Sequence, residues 1–323
     1  MIVRRITDYL AAPVICLLVL VAGCADRFAL KFAPEDITTY RVITERERSI
    51  EFEGAISEDK TFEGGRTGSK IEITFTQQIQ DVDDKGNAVA LITINELKHL
   101  AKEKDVVKAD FDSSREKDRH SPLARLIGQS YKIKISPAGE VVGVVDIQEA
   151  RAAVMGRAPA NKTALALLNP EVIKVRHTIL TLPPAGRNEA GKGDTWNSVK
   201  NFDLGLMGLE TYERIYTLKE VKNIGGHRIG TVTMNAIPSS EMAEQLHKEG
   251  RPASFPDIFG GTKTYTYTGE LNLDLTTGKV ERCFEKLQVE RVIIDPSAKP
   301  GDDKEPDVMK MGVIRLYSLE RID

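Results

Sequence analysis

The sequence predicts an α+β fold dominated by antiparallel β hairpins with a few short helices. Three observations carry that expectation: apolar and polar residues alternate over long stretches, Gly-, Asp- and Pro-bearing turns separate those stretches, and helix signals are few and brief. The chain has 323 residues, of which 41% are hydrophobic and 29% charged, an ordinary composition for a chain that packs a core. Stability must then come from burial.

An early strand carries Tyr40 behind Pro34-Glu35-Asp36. From Lys70 to Ile79 the alternation places Ile71, Ile73, Phe75 and Ile79 on one face, as in a half-buried strand. Asp83-Asp84-Lys85-Gly86-Asn87 breaks the pattern and Ala88 to Ile94 resumes it, so the pair is a hairpin. A second hairpin joins Tyr131, Ile133 and Ile135 to Val141–Val145 through Ser136-Pro137-Ala138-Gly139. Ser121-Pro122 opens one or two helical turns closed by Gly128. Asp146 is placed to cap a helix from Ile147 to Met155, and Asn169-Pro170 opens another toward Leu180. A third helix is expected from Ser239 to Lys248. None is long enough to organise an all-α fold.

The second half repeats the signals of the first. Strands at Tyr212–Val221 and Arg228–Ile237 flank a turn at Asn223 to Gly226, parallel to the hairpin of residues 70–94. Tyr265 to Leu275 and Val280 to Val289 flank Thr276-Thr277-Gly278-Lys279, parallel to residues 131–145. The segment from Gly193 to Trp196 matches the start at Pro34 to Tyr40. A tandem duplication of a β-rich unit follows as an expectation, with a first lobe at 24–182 and a second at 183–323. The Pro- and Gly-rich stretch from Leu182 to Gly193 is the crossing between them, and the acidic stretch 295–307 is a loop before a last strand at Met311–Leu319.

The N-terminus has a different character. Arg4 and Arg5 precede an uncharged apolar run from Leu10 to Gly23, interrupted early by Pro13. A spanning helix needs about 20 such residues, so residues 1–23 are predicted to be a signal peptide. The run ends in Val21-Ala22-Gly23-Cys24, which resembles the lipobox of bacterial lipoproteins. That resemblance implies cleavage between Gly23 and Cys24, and attachment of acyl chains of the palmitate class at Cys24. Two or more chains hold a protein stably on a membrane, so the implied partner is a membrane, reached through lipid on Cys24. The implied location is the cell envelope after export. Ala25 rather than an acid follows the cysteine, which favours the outer over the inner membrane. Cys16 would leave with the signal and Cys24 would be acylated, so Cys283 alone remains and reads as a small buried apolar residue.

The formal net charge is −3 and acids interrupt every basic stretch, which excludes a nucleic-acid footprint. Gly128-Gln129-Ser130 lacks the second glycine of a nucleophile elbow, and Asp81–Gly86 places Lys85 where a calcium loop needs a ligand. His99, His120, His177, His227 and His247 are scattered singly, and Trp196 reads as core packing at a strand start. No catalytic residue, metal site or cofactor is predicted.

The lipobox, the Tyr-bearing early strand, Gly128-Gln129-Ser130-Tyr131 with its Ser-Pro-Ala-Gly turn and the Gly-Asp-Thr-Trp segment together resemble uncharacterised envelope lipoproteins of planctomycete-type bacteria. That resemblance implies no activity. A noncatalytic scaffold or interaction module is the leading expectation, with a protein partner and no stoichiometric lipid. The alternative is a carrier of lipid or another apolar ligand, and a hydrolase with an unrecognised site comes third. A carrier needs a cavity of about 300 Å³ or more, lined by inward residues. From alternation these are Ile71, Ile73, Phe75, Tyr131, Ile133, Ile135, Leu271 and Leu273, and in a scaffold the same residues simply form the core.

Overall fold

The computed structural model describes residues 26–54, 63–179, 182–183, 189–239, 261–294 and 306–323. The signal segment, Gly23, Cys24, the helix expected after Ser239, and most of the crossing at 182–193 and of the loop at 295–307 lie outside the described residues.

Antiparallel β-sheet dominates. In chain order the strands are β1 (Asp26–Arg27), β2 (Ile37–Glu53), β3 (Gly65–Val82), β4 (Ala88–Glu103), β5 (Val106–Asp112), β6 (Ser130–Ile135) and β7 (Val141–Val145). They continue as β8 (Glu189–Ala190), β9 (Thr195–Asp203), β10 (Leu209–Ile224), β11 (His227–Pro238), β12 (Thr262–Asp274), β13 (Lys279–Ile294) and β14 (Val308–Arg321). Three helices, α1 (Gln148–Ala153), α2 (Pro159–Leu167) and α3 (Pro170–His177), fall between β7 and β8.

One 12-stranded sheet runs in the order β7-β6-β4-β3-β2-β14-β13-β12-β11-β10-β9, with β5 added beside β4, while β1 and β8 pair separately. Most consecutive strands pair as hairpins, and the described turns carry the required chemistry. Asp83 accepts from the backbone N–H of Lys85 and Asn87, and Gly86 and Gly139 take the positive φ that a side chain disfavours. The last strand, β14, closes the sheet by pairing with β13 on one side and β2 on the other.

The sheet is strongly curled. Neighbouring strands lie about 4.8 Å apart, so in a flat sheet β9 and β14 would be about 24 Å apart, yet Arg315 on β14 donates to the carbonyl of Asp203 on β9 at 3.2 Å. Register shifts in β3–β4, β10–β11 and β12–β13 supply the bulges that sharpen the twist. In the half before residue 180, the concave face is covered by the helices. Ile73, Phe75, Ile92, Tyr131 and Ile133 pack there with Leu126, Leu168 and Ile173, all buried. Beyond residue 190 the curl itself brings opposite strands together, and Tyr212, Tyr216, Val232, Leu271 and Cys283 are buried between them.

Two local expectations are corrected. Asp146 does not cap the first helix: it takes a positive φ, its carboxylate pairs with Lys132 at 2.8 Å, and the cap position falls to Ile147 without a side-chain bond. Helix α2 was not anticipated, because Ala158 at its start offers no capping oxygen. Helix α3 follows its sequence signal, with the Asn169 side chain accepting from Glu171 N–H at 2.9 Å and Pro170 at the first position.

Candidate functional site

Inward positions on β9, β10, β12, β13, β14 and β2 face one another across the curl. On β13 the inward parity reads Cys283, Glu285, Leu287 and Val289, all buried, so an acid occupies a position otherwise given to apolar groups. On β10 the same parity reads Tyr212, Arg214 and Tyr216. The Glu285 carboxylate accepts from Lys200 Nζ at 3.0 Å, Arg214 Nη1 at 3.2 Å and Tyr267 Oη at 3.0 Å. Burial by itself would raise the Glu285 carboxyl, but the charges of Lys200 and Arg214 prevail and hold it below the usual carboxylate range. Burial and then the Glu285 charge push the Tyr267 and Tyr216 hydroxyls up. Glu285 is therefore an ionised counter-charge and Tyr267 a neutral donor.

Beside this cluster the concave face opens into a cavity of about 320 Å³. Its walls are Phe202, Tyr267, Cys283, Leu287 and Tyr317, with Val175 of α3 over one side, and Lys200, Arg46 and Arg315 bring charge to it. It is an amphipathic chamber, with aromatic and aliphatic walls and a charged side to which Glu45, Asp203 and Glu285 contribute as well.

A second constellation joins α3 to the sheet. Tyr131 Oη and His177 Nε2 are 2.8 Å apart, and Phe75 meets the His177 ring edge-on at 4.6 Å. Arg176 donates to the Leu167 carbonyl at 2.8 Å and to Tyr131 Oη at 3.4 Å, while Tyr317 Oη donates to the Arg176 carbonyl at 3.0 Å. Burial first, and then the Arg176 charge, holds His177 well below its ordinary value, so the ring is neutral. With its ring nitrogen engaged by Tyr131 and its face packed, this histidine fixes the helix. His227 bonds Asp274 at 2.8 Å, and Asp274 in turn holds Thr276 and Thr277 of the β12–β13 turn. That group secures a turn.

The inward residues expected from alternation are indeed packed, Ile71 only partly, but they form the core rather than the chamber. The void at Phe75, Ile135 and Ile79 measures about 40 Å³. Of the residues singled out in the sequence, Cys283 is buried at the chamber wall, and Trp196 stacks on Tyr216 with ring centroids 5.9 Å apart. Lys200, Glu285, Arg46, Arg315, Phe202 and Tyr317 were missed. The available signal was parity: an acid on the inward side of an otherwise apolar strand. Among the described residues no three His, Cys, Asp or Glu side chains come together as metal ligands would. No described helix is long and apolar enough to cross a membrane.

No family model matches the chain, and no curated protein matches it. Among solved structures, one described as "Lipid-protein interactions in lipovitellin" aligns with 91% of this chain at 9% identity and a TM-score of 0.43. The chain spans only 26% of that much longer one. The Pseudomonas aeruginosa protein OccK2 (OpdF) aligns with 89% of this chain and 98% of its own length, at 9% identity and a TM-score of 0.20.

Proposed function

We propose that the chain is a lipid-anchored, noncatalytic envelope protein whose curled sheet binds one amphiphilic molecule in its concave chamber. This is the carrier alternative rather than the scaffold that the sequence favoured, and a single observation supports the change. The chamber of about 320 Å³ falls within the range of ligand pockets, and its walls combine apolar surface with a few converging polar groups.

The anchor belongs to the same reading. Phe28 is fully buried, and Leu30 and Lys31 bond Pro137 and Gly278 at the ends of two hairpins. Four residues from Cys24 to Phe28 span at most about 14 Å, so lipid on Cys24 would hold that end of the sheet close to the membrane, and the outer membrane is the proposed one. The duplication is proposed too, with units 24–182 and 183–323. Supporting it, β2-β3-β4-β6-β7 and β9-β10-β11-β12-β13 are each ordered in the sheet as in the chain, and in each the insert falls between the third and fourth strands.

Mass spectrometry of the full-length protein, expressed in bacteria and released from membranes in nonionic detergent, tests both parts. The expected spectrum shows a chain short of residues 1–23, heavier by acyl chains, and retaining one further amphiphile. Thr44→Trp, which fills the chamber from β2, should lose that amphiphile and keep the acyl mass. Wild-type protein that retains nothing when amphiphile is supplied, or equal retention by the filled variant, counts against the chamber. An unacylated chain counts against the anchor.

A further inference from the structure

Two guanidiniums on the chamber wall, those of Arg46 and Arg315, carry charge that no salt bridge among the described residues neutralises. β2 presents Arg46 and Arg48 on the concave face and β14 presents Arg315, with Arg46 directly opposite Arg315 in the strand register. Like charges so opposed destabilise a sheet. Among the described residues none of the three guanidiniums forms a salt bridge: Arg315 donates only to the Asp203 carbonyl, and Arg48 lies against Gly205. Burial, followed by the charges of Arg46 and Arg48, presses Arg315 below its ordinary value, and Asp203 offsets this in part.

The nearby acids are already committed or turned away. Glu285 is neutralised by Lys200 and Arg214, the Asp203 carboxylate accepts from Gly205 N–H at 2.8 Å, and Glu45 lies at the cavity edge on the strand parity opposite to Arg46. A planar guanidinium fork matches the oxygens of a phosphate, sulfonate or carboxylate; Arg315 is half-buried at the recess, while Arg46 and Arg48 are exposed beside it. Leu287, Phe202 and Tyr317 line the apolar wall of the same recess.

Resting on the amphiphile reading above, we infer that Arg46 and Arg315 form a site for the anionic head group of the ligand, whose apolar body occupies the chamber, with Arg48 adding positive charge from the neighbouring recess. Selectivity for acidic over neutral amphiphiles follows.

The test uses the full-length chain in nonionic detergent and two probes sharing an aromatic body, 1-anilinonaphthalene-8-sulfonate and the uncharged N-phenyl-1-naphthylamine. Trp196 is the one tryptophan and shares β9 with Lys200, so energy transfer from it reports probe held near the chamber. The sulfonate should bind more tightly by about tenfold or more, the scale of one charge-assisted contact. Arg46→Gln with Arg315→Gln should abolish that preference and leave the neutral probe unchanged, which also shows that the variant is folded. Dodecyl phosphate should displace the sulfonate where inorganic phosphate does not. Equal binding of both probes, or a sulfonate affinity unmoved by the double substitution, overturns the anion site and leaves the chamber standing. Absence of transfer from either probe overturns the chamber and the site together. Displacement by inorganic phosphate as effective as by dodecyl phosphate overturns the joint recognition of head and body.

Discussion

Glu285 shows how much depends on single inward positions. Its side chain is only 7% exposed, and an ion so far from water is tolerated because three donors satisfy it. Glu285→Gln would leave Arg214 buried at 3% exposure without its counter-charge. The expected loss is about 3–5 kcal/mol, the cost of breaking a buried pair from one side. Adding Arg214→Gln should restore part of it, and urea unfolding monitored at Trp196 reads both. A single substitution costing less than about 1 kcal/mol would show that the cluster is solvated. The partners are 85 and 71 positions from Glu285 in sequence, so their convergence was not legible there. What was legible is the anomaly itself, a carboxylate between Cys283 and Leu287 on the inward parity.

Among the elements, α3 links the helical cover to the sheet through neutral His177. Its folded pKa is depressed, so the unfolded chain binds the proton more readily. Stability from this group is therefore complete above the unfolded value of about 6.5 and falls as pH drops below it, by about 1.4 kcal/mol per pH unit. His177→Gln should flatten that slope between about pH 6.5 and 5. Denaturant midpoints across this window check it, and an unchanged slope in the variant would remove His177 as the cause. Elements set by local chemistry were legible: the hairpins at Asp83–Asn87 and Ser136–Gly139 and the cap at Asn169 follow from a few adjacent residues. Elements set by packing were not. Helix α2 starts without a capping side chain, and β5 is a short strand added beside β4.

For the molecule as a whole, the curl decides what the concave face can do. Alternation identified the inward face of each strand but not the distance across it, because twist and bulges accumulate over many strands. Only the curl brings β9 onto β13 and β14 and leaves a chamber between Phe202, Leu287 and Tyr317. The central claim is that an amphiphile resides there, and photo-cross-linking in intact membranes tests it most directly. A diazirine-bearing fatty acid is supplied to cells making the full-length chain, and the labelled peptides are mapped after irradiation. Adducts on Phe202, Tyr267, Leu287 and Tyr317 that disappear in Thr44→Trp are the predicted result, while adducts confined to the N-terminal segment or to the outward parity of the same strands would contradict it.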